Sequence, residues 1–166
     1  AQRLIWGKGL NAGQTCIAPD HLLVQPGLMA ALLEAMAIAR TEMYGSDPLE
    51  SEQLACIVHD RQFQRLEALL DQAQQEGRVL IGGEINCDQR RIAPTVIRVD
   101  DRRDPLMADE LFGPLLPVLE LVDLPQTLAE IRRGPKPLAL YLFGGNESQQ
   151  QQVLETTSSG GVCLND

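Results

Sequence analysis

The stretch Leu138-Ala139-Leu140-Tyr141-Leu142-Phe143, "LALYLF", is apolar at almost every position and is followed directly by Gly144-Gly145. A strand with one face in water alternates apolar and polar side chains. An unbroken apolar run instead asks for cover on both faces, the setting of strands in a parallel sheet. Four more short apolar runs lie upstream: "HLLVQ" at 21–25, "RVLIGG" at 78–83, "APTVIRV" at 93–99 and "LLPVLELV" at 115–122. Helical spacing fills the intervals. Leu28, Leu32, Met36, Ala39 and Met43 share one face over residues 28–43, with Pro26 suited to the entry. A second helix runs from Asp60, its expected N-cap, with Phe63, Leu66, Leu70 and Ala73 on one face and Gly77 just past its end. A third starts at Pro125 and stops at Gly134-Pro135; a fourth runs from Asn146 to Thr157. Strands alternating with helices give the expected fold class: α/β, a mostly parallel sheet flanked by helices on both faces.

The chain's 166 residues suit one domain with a sizeable core, and 44% apolar with 22% charged residues is ordinary for a folded soluble protein. The 23 acidic residues against 14 basic ones leave a net charge of −9 spread along the chain, which argues against a nucleic-acid or anionic-membrane surface. The longest greasy stretch, "LMAALLEAMAIA", is interrupted by Glu34 and too short to span a bilayer. Cys16, Cys56, Cys87 and Cys163 form no CxxC or Cys/His spacing, so reduced thiols in the cytoplasm are expected and a metal site is not. No GxGxxG or P-loop pattern follows a strand; Gly82-Gly83 and Gly160-Gly161 read as turns.

Two stretches could carry chemistry. In "NAGQTC", residues 11–16, Cys16 follows a turn-prone hexapeptide and precedes Ala18-Pro19-Asp20, which steers the chain toward the strand at 21 and leaves the thiol on a bend. Taken locally, a cysteine there reads more readily as a small buried hydrophobe than as a nucleophile. His21 and His59, the only histidines, read as surface or packing residues. In "ADELFGPLLPV", residues 108–118, Glu110 and Phe112 would point the same way if the segment is extended, placing a carboxylate beside a ring; ordinary packing is again the plainer local reading.

Read together, "GKGLNAGQTCIAPD", "DELFGPLLPV" and "KPLALYLFGGN" with "ETTSSGGVCLND" resemble, in order and over essentially the whole chain, the catalytic domain of the aldehyde dehydrogenase superfamily, closest to its class 3 and fatty-aldehyde branch. The resemblance reverses the local reading of Cys16. It implies that Cys16 is the catalytic nucleophile, adding to an aldehyde to give a thiohemiacetal and then a thioester that water hydrolyses to the acid. It implies that Glu110 bonds the nicotinamide-side ribose of NAD or NADP, that Phe112 packs near that ribose, and that no metal is required. Residues 1–166 then read as an excised catalytic domain that lacks the family's Glu-Leu-Gly-Gly general-base motif, most of the nucleotide-binding domain and the C-terminal oligomerisation segment. Such a piece would be inactive alone, while the full-length enzyme would be a homo-oligomer acting on a small-molecule aldehyde. Two alternatives stay open: an acylating enzyme that passes the thioester to coenzyme A, and an inert structural module of the same fold. Cys56, Cys87 and Cys163 match no catalytic position and read as structural.

Overall fold

A computed structural model describes residues 1–166, which divide into two compact units, Ala1–Glu120 and Leu121–Asp166. In the first unit, helices α1 (Gln2–Gly9), α2 (Met29–Tyr44) and α3 (Asp60–Gln75) accompany strands β1 (Leu22–Val24), β2 (Val79–Ile81), β3 (Ile85–Asn86), β4 (Arg91–Ile92), β5 (Thr95–Arg98) and β6 (Leu115–Glu120). Four of these strands form a sheet in the order β1-β6-β5-β2. β6 runs parallel to both neighbours, with Leu22 opposite Val118 and Thr95 opposite Leu115, while β2 closes the edge antiparallel to β5. β3 and β4 make a separate antiparallel hairpin.

The pleat sends alternate side chains of the sheet into two different cores. Ile97, Leu115 and Leu119 pack with Phe63, Leu66, Leu70 and Ala73 of α3. Val96, Leu116 and Val118 pack with Leu4 and Ile5 of α1 and Met36 and Ala39 of α2. This two-sided burial explains why "LLPVLE" carries no polar residue before Glu120, the first exposed position of β6. Each fully buried Leu or Ile in these cores contributes about 1.5–3 kcal/mol relative to the exposed side chain.

In the second unit, α4 (Leu124–Arg133), β7 (Ala139–Leu142), α5 (Glu147–Thr156) and β8 (Gly161–Leu164) follow in order. Asp123 caps α4 by accepting the Gln126 N–H at 2.7 Å, and Asn146 caps α5 in a reciprocal pair with Gln149. β7 pairs with β8 in parallel, Ala139 opposite Gly161 through Leu142 opposite Leu164.

Several expectations need correction. β7, the "LALYLF" strand, does pair in parallel, yet its four residues are only half-buried and those of β8 are exposed. A two-strand sheet does not reach the double cover that the apolar run suggested. Gly161, read as part of a turn, begins β8. α3 is capped by His59, whose Nδ1 accepts the Gln62 N–H at 3.1 Å, and Asp60 is its first helical residue.

Candidate active site

Lys8 stands in the last turn of α1, and the chain then reverses through three consecutive left-handed residues: Asn11 at φ 50°, Ala12 at φ 53° and Gly13 at φ 70°. Non-glycine residues in this region cost on the order of 1 kcal/mol or more each, so neighbours have to hold them there. Gln14 does so. Its Nε2 donates to the Asn11 carbonyl at 3.0 Å and the Cys56 carbonyl at 3.1 Å, and its Oε1 accepts the Val58 N–H at 2.8 Å. Asn11 Nδ2 returns a bond to the Gln14 carbonyl at 3.2 Å. Ala12 is fully buried, which sinks the turn into the core.

Cys16 follows at the corner of a tight turn closed by Ala18 N–H to the Thr15 carbonyl at 3.1 Å, and its side chain is exposed. The local reading of a buried small hydrophobe is therefore wrong: a buried Gln14 beside an exposed Cys16 leaves the sulfur facing outward on a fixed bend. Cys56, Cys87 and Cys163 are exposed as well. Cys87 differs in kind, because its thiol donates to the Glu67 carboxylate at 3.4 Å, which pushes the thiol pKa upward and disfavours the thiolate.

The second loop meets the first. Asp20, four residues past Cys16, accepts the Leu111 N–H at 2.9 Å, a bond between positions 91 apart. A side chain placed at Gly13 would drive its Cβ into the Gly113 carbonyl, so the two glycines let the backbones touch. On the other side α3 grips the loop: Gln62 Nε2 donates to the carbonyls of Leu111 at 3.0 Å and Phe112 at 2.9 Å, and Arg65 donates to those of Glu110 at 3.2 Å and Leu111. Phe112 is not extended. It sits at φ 47°, so the expectation that Glu110 and Phe112 project together from an extended segment fails, although both side chains are exposed. The structure brings the loops of Cys16, Glu110 and Phe112 into direct backbone contact. His21 is exposed ahead of β1 and His59 serves as a helix cap.

Sequence reasoning missed Lys8, Gln14, Asp20, Gln62 and Arg65. Lys8 is the surprise, a lysine only 2% exposed. Burial lowers its pKa to about 8, with the Asp20 and Glu110 carboxylates pulling it partly back up. Two shallow surface grooves, one along α1 and α2 at Trp6 and Met43 and one along α4 and α5 at Leu128 and Gln152, touch none of these residues.

Comparison with known proteins gives the family. The profile of the "Aldehyde dehydrogenase family" matches residues 1–166. The chain belongs to the aldehyde dehydrogenase family. It is 44% identical to human aldehyde dehydrogenase family 3 member B1 over all of this chain and 35% of that protein. It is 38% identical to the rat "Aldehyde dehydrogenase, dimeric NADP-preferring" over 99% of this chain and 36% of that protein. Among solved structures, the substrate-bound state of Staphylococcus aureus AldH superposes with a TM-score of 0.95 at 37% identity, covering 99% of this chain and 36% of that one. The chain spans about a third of the length of the aldehyde dehydrogenases it matches.

Proposed function

We propose that the protein carrying this chain oxidises aldehydes to carboxylic acids with NAD or NADP, using Cys16 as nucleophile and Glu110 with Phe112 to hold the cofactor. The observation that carries this reading is the interlock of the two loops, through Gly13 against Gly113 and Asp20 on Leu111, with Cys16 exposed on one and Glu110 and Phe112 exposed on the other. The donor set fits a nucleotide sugar, since an exposed carboxylate accepts bonds from vicinal hydroxyls and an exposed ring packs on the sugar's apolar edge. The carbonyls of this loop are already occupied by α3, so its side chains carry the recognition.

The Cys16 sulfur, as thiolate, bonds to the aldehyde carbon while the carbonyl π electrons move to oxygen, and the Cys16 backbone N–H is a donor on the same residue for that oxyanion. The oxyanion collapses to a thioester as the carbon's hydrogen leaves with its electron pair. When bound, the nicotinamide cofactor supplies the acceptor for that hydride. Water then adds to the thioester carbon, and the C–S bond breaks to release the acid and return the Cys16 thiol. Throughout, the left-handed turn and Gln14 hold the sulfur in one place, the positioning on which an oriented attack depends. The rat relative's name, dimeric and NADP-preferring, supports a homo-oligomer and leaves both cofactors in play. Four exposed, unpaired thiols suit a reducing compartment, and we place the protein in the cytoplasm.

The test uses the full-length protein, an aldehyde series, and NAD or NADP, following both the reduced nicotinamide and the product. Turnover to the free acid that falls by at least about a thousandfold in Cys16→Ala, with the fold retained, is the expected result. Unchanged turnover in that variant, or loss of equal size in Cys56→Ala, would overturn the assignment.

A further inference from the structure

We infer that Gln62 of α3 is a positioning residue for the cofactor-side loop: its side-chain amide holds Phe112 in a left-handed backbone conformation and thereby sets where the Glu110 carboxylate and the Phe112 ring stand. The inference rests on the proposed cofactor role of Glu110 and Phe112.

An aromatic residue at φ 47° is an unfavourable state that persists only when its surroundings determine it. Each peptide of the loop is determined. The Leu111 N–H is taken by Asp20 at 2.9 Å, and the carbonyls of Glu110, Leu111 and Phe112 all accept from α3. Only Gln62 reaches the Phe112 carbonyl, the one attached to the strained residue itself. Its amide has one orientation available. Oε1 accepts from Arg65 Nε at 3.1 Å, which turns Nε2 toward the two carbonyls. The next residue, Gly113, has no room for a side chain because a Cβ there would strike Leu66 of the same helix. One face of α3 therefore provides both the donors and the steric wall for the loop, and Gln62 is the member whose loss frees Phe112 without opening the core, since Gln62 is only partly buried. Its backbone N–H stays bonded to the His59 cap in any side-chain variant.

The closing experiment compares Gln62→Met, Glu110→Gln and the double variant in the full-length protein, reading KM for NAD or NADP, KM for the aldehyde, kcat and the rate of Cys16 alkylation without cofactor. Loss of its two hydrogen bonds to the loop carbonyls, with that from Arg65, predicts that Gln62→Met raises the cofactor KM about tenfold or more. The aldehyde KM and the alkylation rate are expected to stay within about twofold, a split that general loosening of the fold would not produce. Because Gln62 acts through the loop, the double variant should bind cofactor little worse than Glu110→Gln alone. A normal cofactor KM in Gln62→Met beside a raised one in Glu110→Gln overturns this inference and leaves the proposed function standing. A normal cofactor KM in Glu110→Gln sinks the cofactor role itself. Additive effects in the double variant, or equal rises in both KM values, also count against Gln62. Should Gln62→Met fail to fold, Gln62→Asn withdraws the amide by one methylene and has to show the same split.

Discussion

Single residues at this site are held by contacts that cross the sequence. Gly13 combines a left-handed backbone with the Gly113 carbonyl at the place where a Cβ would stand. Gly13→Ala is expected to cost about 3 kcal/mol, read as a lowered urea midpoint, and to slow Cys16 alkylation because the turn has to shift. Lys8 gives a pH signature. Below about pH 8 its amine is protonated in the folded and the unfolded chain alike. Between about 8 and the ordinary value of 10.5 the unfolded chain binds a proton that the folded chain has shed, so this group's contribution to stability grows as pH rises and is lost as pH falls back through 8. The full span is on the order of 3 kcal/mol. Lys8→Met removes this contribution, so the variant's stability relative to the parent should decline between about pH 7.5 and 9.5 in urea titrations. Comparing the two chains cancels the opposing effect of Tyr44, whose phenol burial pushes up. Little of this was legible beforehand: the motif cysteine and the Glu110–Phe112 pair stand out as residue types, whereas Gln14, Gln62 and Asp20 act on backbone groups up to 91 positions away and leave no local pattern.

At the scale of elements, α3 ties the core to the site. Its buried face carries Phe63, Leu66, Leu70 and Ala73, and its first two turns present Gln62 and Arg65 to the loop. Leu70, fully buried, should cost about 2–5 kcal/mol on change to Ala, measured by chemical denaturation. His59→Ala removes the cap and should cost about 1 kcal/mol by the same measurement. Elements with a clean period were readable. The helices beginning near 28, 60, 125 and 146 and the strands within 21–25, 78–83, 93–99, 115–122 and 138–143 all exist, with ends shifted by at most two residues. α1 was not read, because "QRLIWGKG" holds two glycines in eight residues and its helix is stabilised by packing on α2. β3 and β4 are two residues each, too short for alternation to register. β8 begins at a glycine that looked like a turn.

Over the whole molecule, the two units differ in how well they bury their own strands. β5 and β6 are enclosed between two apolar clusters, while β7 is half-buried and β8 exposed. Hydrogen exchange on the 166-residue chain should find the slowest amides in β5 and β6 and much faster ones in β8; equal protection would contradict this ranking. The family resemblance was visible from three motifs spread in order over the whole chain, and the family profile matches that same span. The parallel pairing of Leu22 with Val118 also dictates an order of assembly. On a ribosome adding about 5–20 residues each second, β1 emerges and then waits several seconds for β6 to be made. Until then the Asp20 side chain has no Leu111 to bond, and the nascent chain carries the exposed Cys16 thiol on an unanchored segment. Such non-local closure slows folding, so Cys16 acquires its final setting only after β6 has been made.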